Sequence, residues 1–418
     1  MLAGPQQRRR CACHCAAGQR SRPAHDQAAE QSARDMSGER GAAGPALSGE
    51  VLRYWREHVL SELARRPASL REARRQSELE AQRAGGPGEP VAAVEEVDIG
   101  HARCRLYRPA GHESAALVWL HGGGWTQGSV AAHDSLARRL ANRSGAAVVS
   151  VGYRLTPEHP YPAAVDDAWR TIKWATRRWD LVAVGGDSAG GNLAAVMAQR
   201  ARQARVALSM QLLVYPVLDS RTRSAAYADF VRRYSDFGEI PGWGRSCQGE
   251  IESAWSAYVP DPAARSTPDA SPMRTADLSG LAPASIVLAE HDILRAEGER
   301  YARRLEQADV ATAVHFYPGQ LHGFFEMPAL FADAEHACEQ AAADLRHAFA
   351  GTFPDGPRNG AAQRGAAAGW QPTSGSRATG RPGRGCSYRD SHDRAGRQGR
   401  AAHAQARERD DRNDTLND

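Results

Sequence analysis

One stretch decides the fold of this chain: VAVGGDSAGGN, at residues 182–192. The apolar residues 181–184 predict a buried strand, and the alanine-rich residues 193–205 predict a helix. Between them stands the pattern G-x-S-x-G, with its serine at Ser188. A strand, a sharp turn and a helix in this order are the setting in which such a serine lies exposed above a sheet. The stretch therefore predicts a nucleophilic serine in an α/β fold.

The residues beside the serine suit this turn. Gly186 and Gly190 carry no side chain that would collide with the neighbouring strand and helix. Because the helix begins at Ser188, its first N–H groups and its dipole favour negative charge nearby. The pattern also occurs by chance in unrelated proteins, so its partners elsewhere in the chain decide its meaning.

A second glycine-rich loop lies upstream. The apolar residues 115–120 predict a buried strand, and HGGGW at residues 121–125 follows it directly. Three glycines in a row let the backbone turn its N–H groups toward one point, as in oxyanion loops of the HGGG type. We expect the N–H groups of Gly123, Gly124 and Ala189 to form an oxyanion hole. Removing one such donor costs about 3–4 kcal/mol of transition-state stabilisation.

An acid and a base are expected to follow the serine in the order Asp, His. Asp292 comes after a strand predicted at 285–289, and His322 comes after a strand predicted at 313–318. The carboxyl ends of parallel strands meet at the same edge of a sheet, where active sites gather. Asp292 and His322 are therefore the predicted partners of Ser188.

Other titratable residues compete for these roles. Glu290 is expected to line the wall of the site, and His315 lies inside a predicted strand, where packing accounts for it. Asp277 precedes its strand and so lies at the wrong end. Glu158 and His159 are expected to hold their own proline-rich loop in place.

Together these motifs resemble the hormone-sensitive-lipase-like esterases, a bacterial family of α/β-hydrolases. The matching segments are HGGGW at 121–125, YRLTPEHPYPA at 153–163, GDSAGGN at 186–192, DIL at 292–294 and HGF at 322–324. Two positions depart from the family pattern. Thr156 stands where the family usually has alanine, and Ala296 stands where an acidic residue often follows the catalytic aspartate. Neither touches the predicted chemistry, although Ala296 is expected to alter the support around Asp292.

The resemblance implies an α/β-hydrolase fold: a mostly parallel eight-stranded sheet, flanked by helices and covered by a helical cap. The alternation of about eight predicted strands with helices indicates the same α/β class. Among the helices, one is predicted at 161–178 with Trp169 on its inner face, and a helical patch is predicted at 251–258. We expect the hydrolase domain at residues 47–350, with its cap from about 47–90 and 217–260. Residues 1–46 and 351–418 contain few large apolar side chains and are predicted to be disordered.

Both parts of the predicted cap have a second interpretation. The helical spacing of apolar residues at 47–83 also suits a peripheral helix packed on the sheet. The insertion at 217–260 is aromatic, which suits an apolar acyl pocket and equally suits core packing. The aromatic residues are Phe230, Tyr234, Phe237, Trp243 and Trp255.

Composition narrows the possible partners and the cellular location. The chain has 418 residues and a formal net charge of only +4, which predicts no nucleic-acid partner. No run of about eighteen apolar residues occurs, so no membrane span is predicted. The seven cysteines lack the spacing of disulfide frameworks or zinc sites, which favours a reducing cytoplasm. No metal or organic cofactor is expected, and the resemblance leaves a homodimer possible.

The predicted activity is hydrolysis of a small-molecule ester through an acyl-enzyme. His322 would take the proton of Ser188, and Asp292 would hold the tautomer of His322. Short to medium acyl chains are implied by the resemblance alone. Two alternatives stay open: an amide or formamide hydrolase with the same triad, and a non-catalytic small-ligand receptor on the same fold. The presence of His322 counts against the receptor.

Overall fold

The computed structural model describes residues 47–54, 68–111, 113–237 and 240–354. The disorder predicted for residues 1–46, and that predicted for 351–418 beyond residue 354, lies outside this part of the chain. The division into a hydrolase domain, a cap and two tails stays a prediction.

A sheet forms the centre of the described residues. The strands are β1 (Ala93–Ile99), β2 (Ala102–Arg108), β3 (Ala115–Leu120), β4 (Ala147–Gly152), β5 (Leu181–Asp187), β6 (Met210–Val214), β7 (Asp236–Phe237), β8 (Ile240–Pro241), β9 (Ala284–His291) and β10 (Thr312–Leu321). The short strands β7 and β8 pair with each other, and the other eight form one sheet in the order β1-β2-β4-β3-β5-β6-β9-β10.

The central sheet is mostly parallel, as predicted. The pairs β1–β2 and β2–β4 are antiparallel, and the five remaining neighbouring pairs are parallel. Every residue of β3 and β6 is buried, and these strands are apolar almost throughout. Strands covered by helices on both faces read as continuous apolar runs, which is why the sequence reveals them.

The described residues also form helices, which pack against this sheet or against one another. They are α1 (Gly49–Tyr54), α2 (Leu70–Gly85), α3 (Asp134–Ser144), α4 (Ala163–Ala175), α5 (Ala189–Gln203), α6 (Ala225–Arg233), α7 (Trp243–Tyr258), α8 (Arg295–Gln307) and α9 (Ala332–Phe349). Helix α5 packs against β3, β5 and β6 and is buried along most of its length. No helix in the described residues combines the length and the apolar character that crossing a bilayer requires.

Two helices differ from their predicted bounds. Helix α4 begins at Ala163 and ends at Ala175, inside the predicted 161–178, and its Trp169 is only half-buried. Helix α7 begins at Trp243, whereas the apolar pattern predicts helix only from residue 251. Gly249 lowers the helix propensity of the first half of α7. Tertiary packing of this helix outweighs that preference.

Helices α2 and α7 both approach the glycine-rich loop at 121–125. The guanidinium of Arg74, on α2, donates to the carbonyl oxygen of Thr126 over 2.7 Å and to that of Thr156 over 3.0 Å. On α7, Ala254 borders Gly124: a Cβ built on this glycine would lie 3.3 Å from the Cβ of Ala254. Both helices are therefore placed to bound the region above this loop.

Candidate active site

Ser188 forms the turn between β5 and α5. Its φ of 53° and ψ of −114° lie in a region that residues other than glycine rarely adopt. The backbone N–H of Ser188 donates to the carbonyl oxygen of Val214 over 2.9 Å, which holds the turn on the neighbouring strand. A side chain at Gly186 or Gly190 would collide with the carbonyl oxygen of Leu120. The strained turn thus depends on the two small residues that the pattern predicts.

The structure brings the predicted acid, base and nucleophile together. The Nε2 atom of His322 lies 3.0 Å from Oγ of Ser188, and its Nδ1 atom lies 2.8 Å from Oδ2 of Asp292. The other carboxylate oxygen of Asp292 accepts the backbone N–H of Leu294 over 2.8 Å. Asp292 and His322 directly follow β9 and β10, so the parallel edge places both beside the serine.

The electrostatics of His322 favour its protonated form. Exclusion of water by the surrounding protein would lower the pKa of the imidazole, but the charge and the hydrogen bond of Asp292 outweigh it. Asp187 and Glu326 act in the same direction, and the pKa of His322 is raised above its ordinary value. About a third of the side chain, 37%, stays exposed, and the ring of Tyr215 lies 4.7 Å from the imidazole.

Three backbone N–H groups, in the glycine-rich loop and at the start of α5, are the predicted oxyanion donors. Within the described part of the chain, no group accepts a hydrogen bond from the N–H of Gly123, Gly124 or Ala189. The two glycines have φ of 106° and 58°, in the left-handed region that favours glycine. The N–H of the preceding residue, Gly122, instead donates to Oδ1 of Asp187 over 3.0 Å. The loop therefore leaves its second and third glycine N–H groups available to a substrate oxygen.

The histidine of the same loop, His121, lies outside the hydrogen-bonded chain of Ser188. Its ring stacks on Tyr153 at 4.2 Å, and its carbonyl oxygen accepts the hydroxyl of Tyr153 over 2.7 Å. Burial lowers the pKa of His121 to about 3, so the imidazole is neutral. These contacts hold the start of the loop against Tyr153, the residue that follows β4.

The competing titratable residues are bonded elsewhere. Glu290 accepts the backbone N–H of Gly319 over 2.8 Å. His315 lies 2.6 Å from Oδ2 of Asp344. Both oxygens of Glu158 accept from the guanidinium of Arg74, at 2.8 and 2.7 Å, which ties the proline-rich loop to α2.

His291 and the aromatic insertion form another cluster. The Nδ1 atom of His291 lies 3.0 Å from the hydroxyl of Tyr234, and the ring of Phe237 lies 5.0 Å from that of Trp243. Trp255 packs instead on Trp125 of the glycine-rich loop, at 5.1 Å. The insertion is therefore packed within itself and against the glycine-rich loop, and its role in an acyl pocket stays a prediction.

The two departures from the family pattern have local explanations. The hydroxyl of Thr156 donates to the carbonyl oxygen of Ala257, near the end of α7. Ala296 offers no polar group, but its neighbour Glu297 is buried and accepts the N–H groups of Leu218 and Asp219 over 2.7 and 3.0 Å. An acidic side chain thus still supports the segment after Asp292.

Sequence reasoning missed a group of titratable residues behind the serine. His133 and Asp187 are buried and Glu326 is half-buried, and Nε2 of His133 lies 3.2 Å from Asp187 Oδ1 and 3.0 Å from Glu326 Oε2. Asp187 stands inside the serine motif, but no spacing in the sequence indicates that His133 and Glu326 meet it.

The same three residues offer the donor types of a metal site. One atom of each lies within 4.8 Å of the others, the one such group among the residues that the structure describes. Separations of 3.0 and 3.2 Å are those of ion pairs between a protonated imidazole and carboxylate oxygens. The geometry is therefore explained by ion pairing within the group.

Comparison with known protein sequences agrees with this geometry. A family model described as alpha/beta hydrolase fold matches residues 117–326. The ethyl acetate hydrolase of Pseudomonas putida is 35% identical over 283 residues, which cover 63% of this chain and 86% of that protein. Carboxylesterase NlhH of Mycobacterium tuberculosis is 36% identical over 279 residues, covering 62% and 84%.

Solved structures give the same result. The ester hydrolase EH1AB1 from the Lake Arreo metagenome matches with a TM-score of 0.64 and 33% identity, covering 73% of this chain and 99% of its own. An esterase of Pyrobaculum calidifontis matches with a TM-score of 0.63 and 36% identity, covering 72% and 98%. The fold, the motifs and these relatives together show that the chain belongs to the hormone-sensitive-lipase-like esterases of the α/β-hydrolase superfamily and is a carboxylic ester hydrolase.

Proposed function

We propose that this protein is a serine carboxylesterase in which Ser188 is the nucleophile, His322 the general base and Asp292 the residue that orients His322. The observation that carries the proposal is the continuous hydrogen-bonded chain through His322, 3.0 Å to Ser188 on one side and 2.8 Å to Asp292 on the other. With Nδ1–H held by the carboxylate, the lone pair of Nε2 faces the serine hydroxyl.

Each step of the reaction then has a group to perform it. His322 takes the proton of Ser188 as the hydroxyl oxygen attacks the ester carbonyl carbon. The N–H groups of Gly123, Gly124 and Ala189 stabilise the negative carbonyl oxygen. The C–O bond to the alcohol breaks as His322 returns the proton to the leaving oxygen, and an acyl-serine remains. Water, deprotonated by His322, attacks this ester, and the acid leaves as Ser188 regains its proton.

We propose that the preferred substrates carry short to medium acyl chains. The approach of Ala254 to Gly124 supports this, because α7 leaves little space directly above the oxyanion loop. The relative from Pseudomonas putida is named for ethyl acetate, a short ester. We expect p-nitrophenyl acetate, butyrate and hexanoate to be turned over faster than the decanoate. A rate that rises steadily up to the decanoate would contradict this preference.

A cytoplasmic location belongs to the same proposal. Among the described residues, Cys104, Cys247 and Cys338 are free thiols, which fits a reducing compartment. A homodimer stays an expectation from the resemblance, and light scattering coupled to gel filtration measures it directly.

The experiment that tests the mechanism is fluorophosphonate labelling followed by peptide mapping. A phosphonate reacts with an activated serine, and the Lake Arreo relative was crystallised with a bipyridine phosphonate derivative. We expect the label on Ser188, and its loss in Ser188→Ala and His322→Ala. Ser256→Ala, on the exposed part of α7, serves as the matched control and should label normally. A label at another residue, or esterase turnover by Ser188→Ala at the wild-type rate, would refute the assignment.

A further inference from the structure

The three residues His133, Asp187 and Glu326, called here the rear cluster, connect the serine turn, the glycine-rich loop and the segment after His322. Asp187 is the residue before the nucleophilic Ser188, and Glu326 lies in the turn that follows His322. His133 lies at the start of α3 and bridges the two carboxylates. The cluster has no role in the mechanism above, which uses none of its atoms.

Asp187 ties the serine turn to the oxyanion loop. Its Oδ1 atom accepts the backbone N–H of Gly122 over 3.0 Å, and only 1% of its side chain is exposed. Any side chain at Gly122 would collide with the Asp187 carboxylate. The carboxylate therefore packs directly against Gly122. Since Gly123 and Gly124 follow it in the chain, we expect a shift of Asp187 to displace them as well.

Glu326 ties the segment after His322 to the same imidazole. Its Oε2 atom lies 3.0 Å from Nε2 of His133, and its Oε1 atom accepts the hydroxyl of Tyr215 at 3.4 Å. The ring of Tyr215 in turn lies 4.7 Å from the ring of His322. One side of the cluster thus supports the oxyanion loop, and the other side supports the base.

The charge of the cluster makes these contacts interdependent. The Nδ1 atom of His133 lies 3.3 Å from the carbonyl oxygen of Ser129, so that nitrogen donates there. Nε2 faces carboxylate oxygens at 3.0 and 3.2 Å, which favours a proton on this nitrogen as well and so a charged imidazolium. Burial lowers the pKa of His133, but the charges of Glu326 and Asp187 raise it well above its ordinary value. Burial and the charge of Glu326 raise the pKa of Asp187 to about 7, so the carboxylate that His133 faces at neutral pH is mainly that of Glu326. The imidazolium is held in place because a buried charge without its partner is costly.

We propose that Glu326 and His133 are positioning residues for the esterase reaction, which hold Asp187, and through it the oxyanion N–H groups, where the transition state needs them. The inference rests on the proposed function, because it presumes Ser188 as nucleophile. Oxyanion donors act on charge that develops only in the transition state, so their displacement lowers kcat without weakening substrate binding. A displacement of about 1 Å can reduce the rate by up to about 100-fold.

The test compares Glu326→Gln with Asp344→Asn. Glu326→Gln keeps the shape of the side chain and removes the charge that His133 faces. Asp344→Asn changes a second close histidine–carboxylate pair, His315 and Asp344, whose atoms lie 2.6 Å apart. This pair belongs neither to the proposed triad nor to the rear cluster. The two variants therefore remove similar pairs, one behind the serine and one outside the catalytic site.

We expect Glu326→Gln to lower kcat on p-nitrophenyl butyrate roughly tenfold with KM within about twofold of wild type. Asp344→Asn should lower the melting temperature and leave kcat unchanged. Glu326→Asp, which keeps the charge but is too short to reach His133, should lose kcat as well. An unchanged kcat in Glu326→Gln, or a rise in KM with kcat intact, would overturn the inference.

Fluorophosphonate labelling separates this inference from the proposed function. We expect Glu326→Gln to be labelled at Ser188, but more slowly than wild type. Absence of label from the wild-type enzyme would refute the proposed nucleophile and with it this inference. Wild-type labelling kinetics in Glu326→Gln, with the label on Ser188, would refute the positioning role alone.

Discussion

Asp292 and His322 are joined by a hydrogen bond of 2.8 Å between Oδ2 and Nδ1, and this contact orients the imidazole that faces Ser188. Asp292 is buried, while about a third of the His322 side chain stays open to solvent. The proposed acid is therefore shielded and the proposed base is accessible, as the entry of a substrate beside Ser188 would require.

This contact predicts the pH dependence of the enzyme. His322 accepts a proton only in its neutral form, and Asp292 raises the pKa of the imidazole above its ordinary value. Activity should therefore fall as the pH is lowered through that raised pKa. In Asp292→Asn the acid limb of the kcat/KM profile should move to lower pH, and kcat should fall by roughly 10⁴-fold. An acid limb at the same pH in both proteins would show that another group titrates.

If the glycine-rich loop at 121–125 is the oxyanion loop, as proposed, one added methyl group there should have a strong effect. Gly123 has φ of 106°, and a Cβ there would collide with the backbone of Gln127. Gly123→Ala should therefore displace the donors and lower kcat roughly 10²- to 10³-fold. Gly145→Ala is the matched control, because Gly145 has φ of 69° with no atom within 4 Å of an added Cβ. Similar losses of kcat in both variants would mean that backbone strain, and not the loop, causes the effect.

A carboxylate on helix α7 leads us to expect that the enzyme discriminates between neutral and anionic acyl groups. Glu250 lies one helical turn before Ala254, which borders Gly124 of the glycine-rich loop, so both residues share a face of α7. The surrounding protein raises the pKa of Glu250, and the charge of His322 opposes this rise. At pH 8 its carboxylate should repel an anionic acyl group. Glu250→Gln should raise kcat/KM for p-nitrophenyl hemisuccinate roughly three- to tenfold and leave the butyrate ester unaffected.

The control for this charge effect is Glu252→Gln on the same helix. Glu252 pairs with the exposed Arg223 at 3.0 Å. We expect its substitution to leave the ratio of hemisuccinate to butyrate turnover as in wild type. If this ratio changed equally in both variants, the net charge of the helix would explain the effect, and a local role of Glu250 would be contradicted.

Thr156 stands where the related family usually has alanine, and we expect its replacement by alanine to destabilise the folded protein. Its buried hydroxyl donates to the carbonyl oxygen of Ala257, and Thr156→Ala removes that donor. We expect the free energy of unfolding to fall by about 1 kcal/mol, measured by urea denaturation. Thr176→Ala is the control, because the exposed hydroxyl of Thr176 bonds only to Lys173 over 3.3 Å. A gain in stability in Thr156→Ala would contradict a stabilising hydrogen bond.

Much of the fold and of the candidate site could be predicted from the sequence because the signals are local. The strand before Ser188 is apolar since it is covered on both faces, and the turn after it accepts only glycine at 186 and 190. Asp292 and His322 follow their strands directly, so the parallel sheet alone brings them to one edge. The first half of α7 escaped prediction because long-range packing overrides the weak local propensity around Gly249.

The sequence by itself thus determined the α/β architecture, the two glycine-rich loops and the candidates for nucleophile, base and acid. Only the tertiary structure decided that His133 and Glu326 close on Asp187 behind the serine. These residues come from a helix start, a turn and a strand end that no repeating pattern connects. Their meeting depends on how separate loops pack at one edge of the sheet, and the burial that pairs their charges exists only in the folded chain.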